Sequence, residues 1–466
     1  MNEKTNESIA KFISGLTFDA IPKKAVDLAK DAILDWMGVT IAGSCEPAVN
    51  ILTEQVKQWG GANEAGVIGR AFRTTAPLAA WINGTASHAI DYDDTFSNAA
   101  GYNFHPTVPV LPAVLALSEK CKASARAVLA AYIVGIEVES RVGAAMGRFS
   151  SEMGWHPTPV IGTIGAVAAS ANLLGLSAEQ VKMALGIAGS HSSGFVKNFG
   201  TMTKPLHAGN AAKNGVIAAL LAQNGFTGTE KVLEGDTGFC SMFSAKKANE
   251  VAPYDEDLGE VWHIITPGIA LKAYPCCRST HSCIDASLYL KNVMHIDPKR
   301  VVKIICKTHP QHTNLARFHR PASAYEGKFS IPYCIAVALL RGKVVLEDFT
   351  EGKVSAPEAQ ALLSRVEFLY PEKYAKGPMT LAQEIMVKLD NGEEYSYEVP
   401  GPKGDPENPL THEELAEKFI DCTRLSFSEE DIGKTLKMIE ELESLDDMSR
   451  LMDIVTHPMK RSEVLK

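Results

Sequence analysis

The stretch IPKKAVDLAKDAILDWMGVTIA, residues 21–42, sets the reading of the chain. Ala25, Leu28, Ala29, Ala32, Ile33, Trp36 and Met37 recur at helical spacing and make one apolar face. Pro22 suits the first turn of that helix, where a missing N–H has no intrahelical partner to lose. Working outward, the same periodicity predicts helices over 76–90, 113–120, 124–146, 160–174, 178–187 and 208–223. Ser177 and Gln180 have capping-box spacing, and Asn224-Gly225 is a helix stop. Ala and Gly dominate the runs after residue 157, which lets helices approach closely. These features predict an all-helical core.

The pattern changes near Thr266-Pro267-Gly268. VVKIICK (301–307) reads as a strand, and 385–389 with 394–399 reads as a hairpin across Asp390-Asn391-Gly392. A weaker strand at 365–369 and helices at 282–293 and 329–340 complete this block. After Pro400-Gly401-Pro402-Lys403-Gly404 helical patterning returns at 411–422 and 428–445, with Thr411/Glu414 and Ser428/Asp431 as cap pairs. The expected fold class is mainly α with α+β. A large all-helical domain is formed by both chain ends (1–266 and 405–466), and a smaller α+β lid is inserted at 267–404.

The composition narrows the function. The 466 residues are 45% hydrophobic and 22% charged, proportions that exclude a disordered, collagen-like or disulfide-scaffold chain. A net charge of −9 without a local basic patch argues against nucleic-acid and membrane partners. The opening MNEKTNESIAKFISG has no apolar signal core, and the nine cysteines are odd in number and scattered, so a cytoplasmic location with reduced thiols is expected. The uncharged run 153–178 is rich in Gly, Ala, Ser and Thr, and reads as a close-packed core helix rather than a membrane span.

The chemistry concentrates in a few places. His88-Ala-Ile-Asp91-Tyr92-Asp93-Asp94-Thr95 sets three carboxylates within four residues after an apolar helix, a crowding that raises at least one carboxyl pKa. His105-Pro106 and His156-Pro157 each precede a buried helix, which suggests two imidazoles delivered to one place by helix starts. The alternative is an acidic helix cap with ordinary loop histidines. Lys204-Pro-Leu-His207 opens a small-residue helix and suits a carboxylate ligand; a solvated lysine beside a core helix is the rival reading. Lys272, Arg278 and His281 suggest a second anion clamp, with Cys276 and Cys277 as packed thiols. Tyr333, just inside a helix, is either core-packed with a satisfied hydroxyl or a donor to a ligand. Zinc and iron–sulfur ligation are set aside, since no H-x-x-x-H or C-x-x-C spacing supports them.

The ordered succession HAIDYDDT (88–95), FHPT (104–107), WHPT (155–158), KPLHAGNAA (204–212), KAYPCCRSTH (272–281) and KFSIPY (328–333) resembles the MmgE/PrpD family. That family includes 2-methylcitrate dehydratase, cis-aconitate decarboxylase and iminodisuccinate epimerase. The resemblance implies a homodimer and a site without metal or cofactor, in a cleft between helical domain and lid, taking a small polycarboxylate. Carried onto this sequence, the family's site falls at Asp91, Thr95, His105, His156, Lys204, Lys272 and Tyr333, and Arg278, His207 and Cys277 join them as substrate-binding candidates. On this expectation His105 and His156 share acid and base roles and Asp91 orients, while Thr95 and Tyr333 hydrogen-bond oxygens and the cations hold carboxylates. Closure would hinge near Pro267-Gly268 and Gly401-Pro402. Cis-aconitate decarboxylases resemble this chain less at Cys277, where they carry a histidine, and at 97–104, which is longer here. The implied reaction is therefore dehydration of a 2-methylcitrate-like hydroxy acid. Epimerisation of an iminodisuccinate-like succinate and cis-aconitate-type decarboxylation are the alternatives.

Overall fold

Small residues decide how the helices of the longer unit pack. The chain is described by a computed structural model over residues 5–97, 103–147, 153–376 and 381–457. It divides into two units, 1–270 with 411–466, and 271–410. Along the first unit run α1 (Thr5–Gly15), α2 (Lys23–Gly43), α3 (Pro47–Trp59), α4 (Ala76–His88) and α5 (Thr107–Cys121), then α6 (Ala125–Met146), α7 (Pro157–Leu173), α8 (Ala178–His191) and α9 (Thr203–Gln223). α7 is buried from Pro157 to Ala171 and packs against α5, α6, α8 and α9. A methyl group on Gly215 of α9 would stand 2.5 Å from Ala166 Cβ of α7. Where α4 crosses α9, one on Gly209 would stand 2.2 Å from the Trp81 carbonyl, and one on Gly84 2.9 Å from Gly209 Cα. Those backbones touch only because both crossing positions lack a side chain.

The helix boundaries depart from the expected ones in instructive ways. Pro22 is the N-cap of α2 rather than a first-turn residue. α5 begins at Thr107, not 113, and α9 at Thr203, not 208. Pro109 and Pro205 lie in first turns, where a missing N–H leaves no bond unmade, so neither blocks the helix. Short strands interrupt the helical half: β1 (Ala65–Gly66) pairs with β2 (Arg73–Thr74), and β3 (Thr95–Ser97) lies between β4 (Asn103–Phe104) and β5 (Ile269–Ala270).

The second unit begins a few residues later than expected because Ile269–Ala270 pairs with β3 in the first. Its four-stranded sheet has the order β7-β6-β8-β9, from β6 (Val301–Lys307), β7 (Val366–Leu369), β8 (Gln383–Leu389) and β9 (Glu394–Val399). β6 and β7 are parallel and the other pairs antiparallel, with Asn391-Gly392 turning the β8–β9 hairpin. Gln383, Ile385, Val387 and Leu389 alternate inward along β8. α10 (His281–Asn292) packs on β8 and β9, and α11 (Ile331–Arg341) packs on α10, giving the two-layer α+β arrangement.

The chain then returns to the first unit with α12 (His412–Thr423) and α13 (Glu429–Glu440). Thr411 and Glu414 form a capping box at the start of α12, as do Ser177 and Gln180 at α8. α12 packs on α2, and Lys418 pairs with Asp35 at 2.5 Å. The same ammonium donates to the Tyr92 carbonyl at 3.0 Å and lies 3.9 Å over the Tyr92 ring. Among the described residues no helix is long and apolar enough to cross a membrane.

Candidate active site

The acidic segment after α4 owes its shape to Asp91, which takes a left-handed backbone with φ 57°. Aspartate tolerates that conformation better than most side chains. Its carboxylate meets the α9 ammonium of Lys204, Oδ1 to Nζ, at 2.7 Å. Lys204 Nζ also lies 5.6 Å from the Phe199 ring centroid. Lys204 and His207 stand on the first two turns of α9, so the small-residue helix carries them inward rather than following them.

Asp93 is the hub. Its Oδ2 lies 2.8 Å from His88 Nδ1 and 2.7 Å from His105 Nδ1. Burial works against the charge of Asp93, yet the two imidazoles hold its carboxyl well below the usual range. An ionised carboxylate only accepts, so both Nδ1 atoms donate. His105 Nδ1 is also 2.8 Å from the Asp94 carbonyl, and its backbone N–H donates to Thr158 Oγ1 at 3.1 Å.

The other two imidazoles arrive on α7 and α9. His156 is the N-cap of α7, its ring centroid 6.1 Å from that of His88, and its Nδ1 is 3.1 Å from Nδ1 of His207. The two His-Pro dipeptides thus reach one cluster, with His88 between them. Burial pushes His88 down to about 4 and His156 well below its ordinary value, with neighbouring cations and imidazoles adding to His156. His207 is lowered by burial and then by the Lys204 charge. These three are therefore neutral near pH 7.

Asp94 faces away from the imidazoles. Its carboxylate accepts from Thr107 Oγ1, and Tyr132 Oη stands 2.6 Å from that hydroxyl. Burial pushes Asp94 up to about 8, with the charges of Asp93 and Asp35 adding. The raised carboxyl expected from crowding exists, but burial is its main cause. Thr95 opens β3 with its hydroxyl buried and without a hydrogen-bond partner among the described residues.

His88, Asp93 and His105 each offer one ligand atom, and these atoms lie within 4.8 Å of one another, so this trio can hold a metal ion. Its 2.7 and 2.8 Å contacts are also ordinary charge-assisted hydrogen bonds and need no ion to account for them.

Lys272, Cys277, Arg278 and Tyr333 belong to the second unit. Lys272 is buried and Cys277 half-buried, its N–H donating to the Lys328 carbonyl at 2.9 Å. Arg278 is ion-paired with Asp405, so the open guanidinium clamp expected there is a neutralised pair. Tyr333 Oη donates to the Asp348 carbonyl at 2.5 Å, inside the core of the unit. The expectation of a phenol offered to a ligand gives way to the core-packed alternative, because that carbonyl takes its only proton. Asp93 and His88 were absent from the expected site. The local signal for them was the crowded acid run itself, whose geometry depends on the turn at Asp91.

Comparison with known proteins bears on this cluster. The MmgE/PrpD N-terminal domain model matches residues 7–252, and the MmgE/PrpD C-terminal domain model matches 274–444. The chain is 31% identical to the cis-aconitate decarboxylase of Homo sapiens, over 98% of this chain and 96% of that protein. It is 28% identical to the cis-aconitate decarboxylase of Aspergillus terreus over 97% and 96%. Identity to the 2-methylcitrate dehydratase of Cupriavidus necator is 24%, over 73% and 72%.

Proposed function

This chain belongs to the MmgE/PrpD family, and from that premise we propose that it is a lyase releasing CO2 from a small unsaturated tricarboxylate of the cis-aconitate type. Relatives bearing the decarboxylase name match nearly the whole chain, whereas the dehydratases match less of it at lower identity. That reverses the preference for dehydration drawn from Cys277 and the 97–104 stretch; residues 98–102 of that stretch lie outside the described residues.

The reaction asks little covalent work of the protein. In cis-aconitate one carboxylate hangs on a saturated carbon beside the alkene. When it leaves as CO2, its bonding pair forms a new alkene and the old alkene pair moves to the carbon bearing another carboxylate. That carbanion is stabilised as an enediolate-like group in an intermediate that still carries three negative charges, and one proton quenches it. A trianion and a proton become a dianion and CO2, so atoms and charge balance. The protein must hold anionic groups and deliver one proton.

His105 suits the delivery. Asp93 holds its Nδ1, which leaves Nε2 to carry the transferable proton, and its side chain keeps 14% exposure where that of His88 has none. His156 and His207, held neutral, hydrogen-bond substrate oxygens, and Lys204 supplies positive charge on α9. The observation that carries this reading is the Asp93–His105 contact at 2.7 Å inside the imidazole cluster. The test is incubation of the purified protein with cis-aconitate, 2-methylcitrate and citrate, following CO2 and proton NMR together. One CO2 per cis-aconitate consumed is expected; water loss from 2-methylcitrate without CO2 release from cis-aconitate overturns the proposal.

A further inference from the structure

We infer that Phe199 is a specificity-determining residue: its ring gives the site an apolar wall that selects an acid without a hydroxyl group. The inference rests on the reading of His156 and Lys204 as groups that hold substrate oxygens. The Phe199 ring makes a T-shaped contact with the His156 imidazole, centroids 4.8 Å apart and planes at 82°, and its centroid lies 5.6 Å from Lys204 Nζ. A carboxylate oxygen takes its place about 2.8 Å from a lysine ammonium. An acid held by both His156 and Lys204 is therefore flanked by this ring.

The wall is fixed through the backbone. Residues 192–202 join α8 to α9 through a short 3-10 turn, Val196–Asn198, and Phe199 follows it half-buried, its N–H donating to the Val196 carbonyl at 2.9 Å. The segment is tied to the start of α7 on both sides of Trp155. The His156 N–H donates to the Gly194 carbonyl, and the Val196 N–H donates to the Gly154 carbonyl, each at 2.9 Å. Phe195 stacks on Trp155 with centroids 5.1 Å apart. Gly194 permits this approach: its φ is 135°, and a methyl group there would stand 2.5 Å from Pro159 Cγ and 3.4 Å from His207 Nδ1. The segment that carries Phe199 thus rests directly on His156 and His207, and the ring keeps its place beside them.

A phenyl ring discriminates by what it withholds. Hydroxy acids such as citrate carry the carboxylates of an unsubstituted tricarboxylate and one O–H besides. Turned toward Phe199, that O–H gives up water and gains no partner. An apolar wall rejects an added hydroxyl only modestly, so a preference of about ten- to a hundredfold is expected. Such a wall suits an alkene tricarboxylate better than its hydrated counterparts.

Propane-1,2,3-tricarboxylate and citrate differ by that hydroxyl alone, and neither has the alkene that the proposed loss of CO2 requires. Calorimetric titration of the full chain with each therefore reads binding without turnover. The wild type is expected to bind propane-1,2,3-tricarboxylate about ten- to a hundredfold more tightly than citrate. Phe199→Ala admits water and brings the ratio below about threefold, whereas Phe199→Leu keeps an apolar surface and most of the preference. Phe199→Gln fills much of the space and offers an amide to the hydroxyl; it lowers the ratio as the alanine variant does and serves if that variant does not fold. A purely structural role for Phe199 would weaken both acids alike and leave their ratio unchanged. A wild-type ratio below about threefold, or a wild-type ratio kept in Phe199→Gln, overturns the inference. CO2 release from cis-aconitate is followed in the same preparations. Its absence beside the expected binding ratios would count against the proposed reaction and not against the wall.

Discussion

Lys204 Nζ and Asp91 Oδ1 stand 2.7 Å apart, tying the first turn of α9 to a residue in the left-handed region. The contact is nearly buried, with side-chain exposures of 7% and 9%, so water contributes little to balancing either charge. Removing one member of such a pair leaves the other uncompensated, which costs about 3–5 kcal/mol. The pair both shapes the acidic segment and keeps a cation on α9.

Lys204→Met is expected to raise KM for a polycarboxylate by at least about tenfold, one lost charge-assisted contact being worth about 1.5–3 kcal/mol. It should also lower stability in urea titrations, and Lys204→Met with Asp91→Asn should lose less than the sum of the two single changes. Additive losses would deny the coupling.

His105→Ala and His156→Ala should each reduce kcat by about two to four decades, the usual size of an acid–base contribution. The two should differ in kind. His105→Ala abolishes the limb of the pH profile that needs a protonated group, whereas His156→Ala keeps it, because burial already holds His156 neutral. Identical pH profiles in both variants would contradict the assignment.

Stability has its own pH signature. Glu139 is buried on α6 with neither carboxyl oxygen hydrogen-bonded among the described residues, and burial, then the Asp94 charge, raises its pKa well above the ordinary value. The folded chain keeps this proton where the unfolded chain releases it, above about pH 4.3. The stabilisation is complete below that pH and lost as pH climbs toward the folded value, by about 1.4 kcal/mol per unit. Glu139→Gln should therefore gain on the wild type in urea titrations at about pH 5, 7 and 9. A pH-independent difference would rule the protonated acid out.

His88 titrates in the opposite sense. Held down to about 4, it contributes stability that is complete above about pH 6.5 and disappears as pH falls through its folded value. His88→Asn should flatten the acid side of the stability curve; a curve that keeps its full acid slope would show that other groups account for it.

The α4–α9 crossing links packing to chemistry. Gly209→Ala brings a methyl against the Trp81 carbonyl at 2.2 Å and Thr85 Oγ1 at 2.4 Å, and backbone cannot yield there without moving a helix. A cost of about 1–3 kcal/mol is expected, as for other overpacked sites. Because α4 ends in His88 and α9 begins beside Lys204, kcat/KM should fall by more than the loss of folded protein explains. Activity per folded molecule, read by active-site titration, checks this; wild-type values would uncouple the crossing from the site.

What could be read in the sequence follows from range. The capping pairs Ser177/Gln180 and Thr411/Glu414 and the Asn391-Gly392 hairpin are set by neighbours, and they stand where the pattern predicts them. β3 and β5 are two or three residues long and join Thr95 to Ala270, so no local periodicity announces them. His105, His156 and Lys204 were visible because proline and small residues mark their helix starts. His88 and Asp93 were not, because their meeting depends on the sign of one φ angle at Asp91, and aspartate sequences do not encode that sign. Tyr333 had two readings until the Asp348 carbonyl, fifteen positions away, decided between them.

The grip of Lys418 on the Tyr92 carbonyl has a bearing on biosynthesis. Every imidazole of the cluster has left the ribosome long before α12 is translated, yet the segment from Asp91 to Asp94 lacks one of its anchors until α12 docks beside Asp35. A nascent chain halted after the inserted unit would carry every imidazole of the cluster and still lack the Lys418 contact to the Tyr92 carbonyl. The anchoring of the segment from Asp91 to Asp94 is thus completed from the far side of the inserted unit, by a helix made more than 300 residues after it.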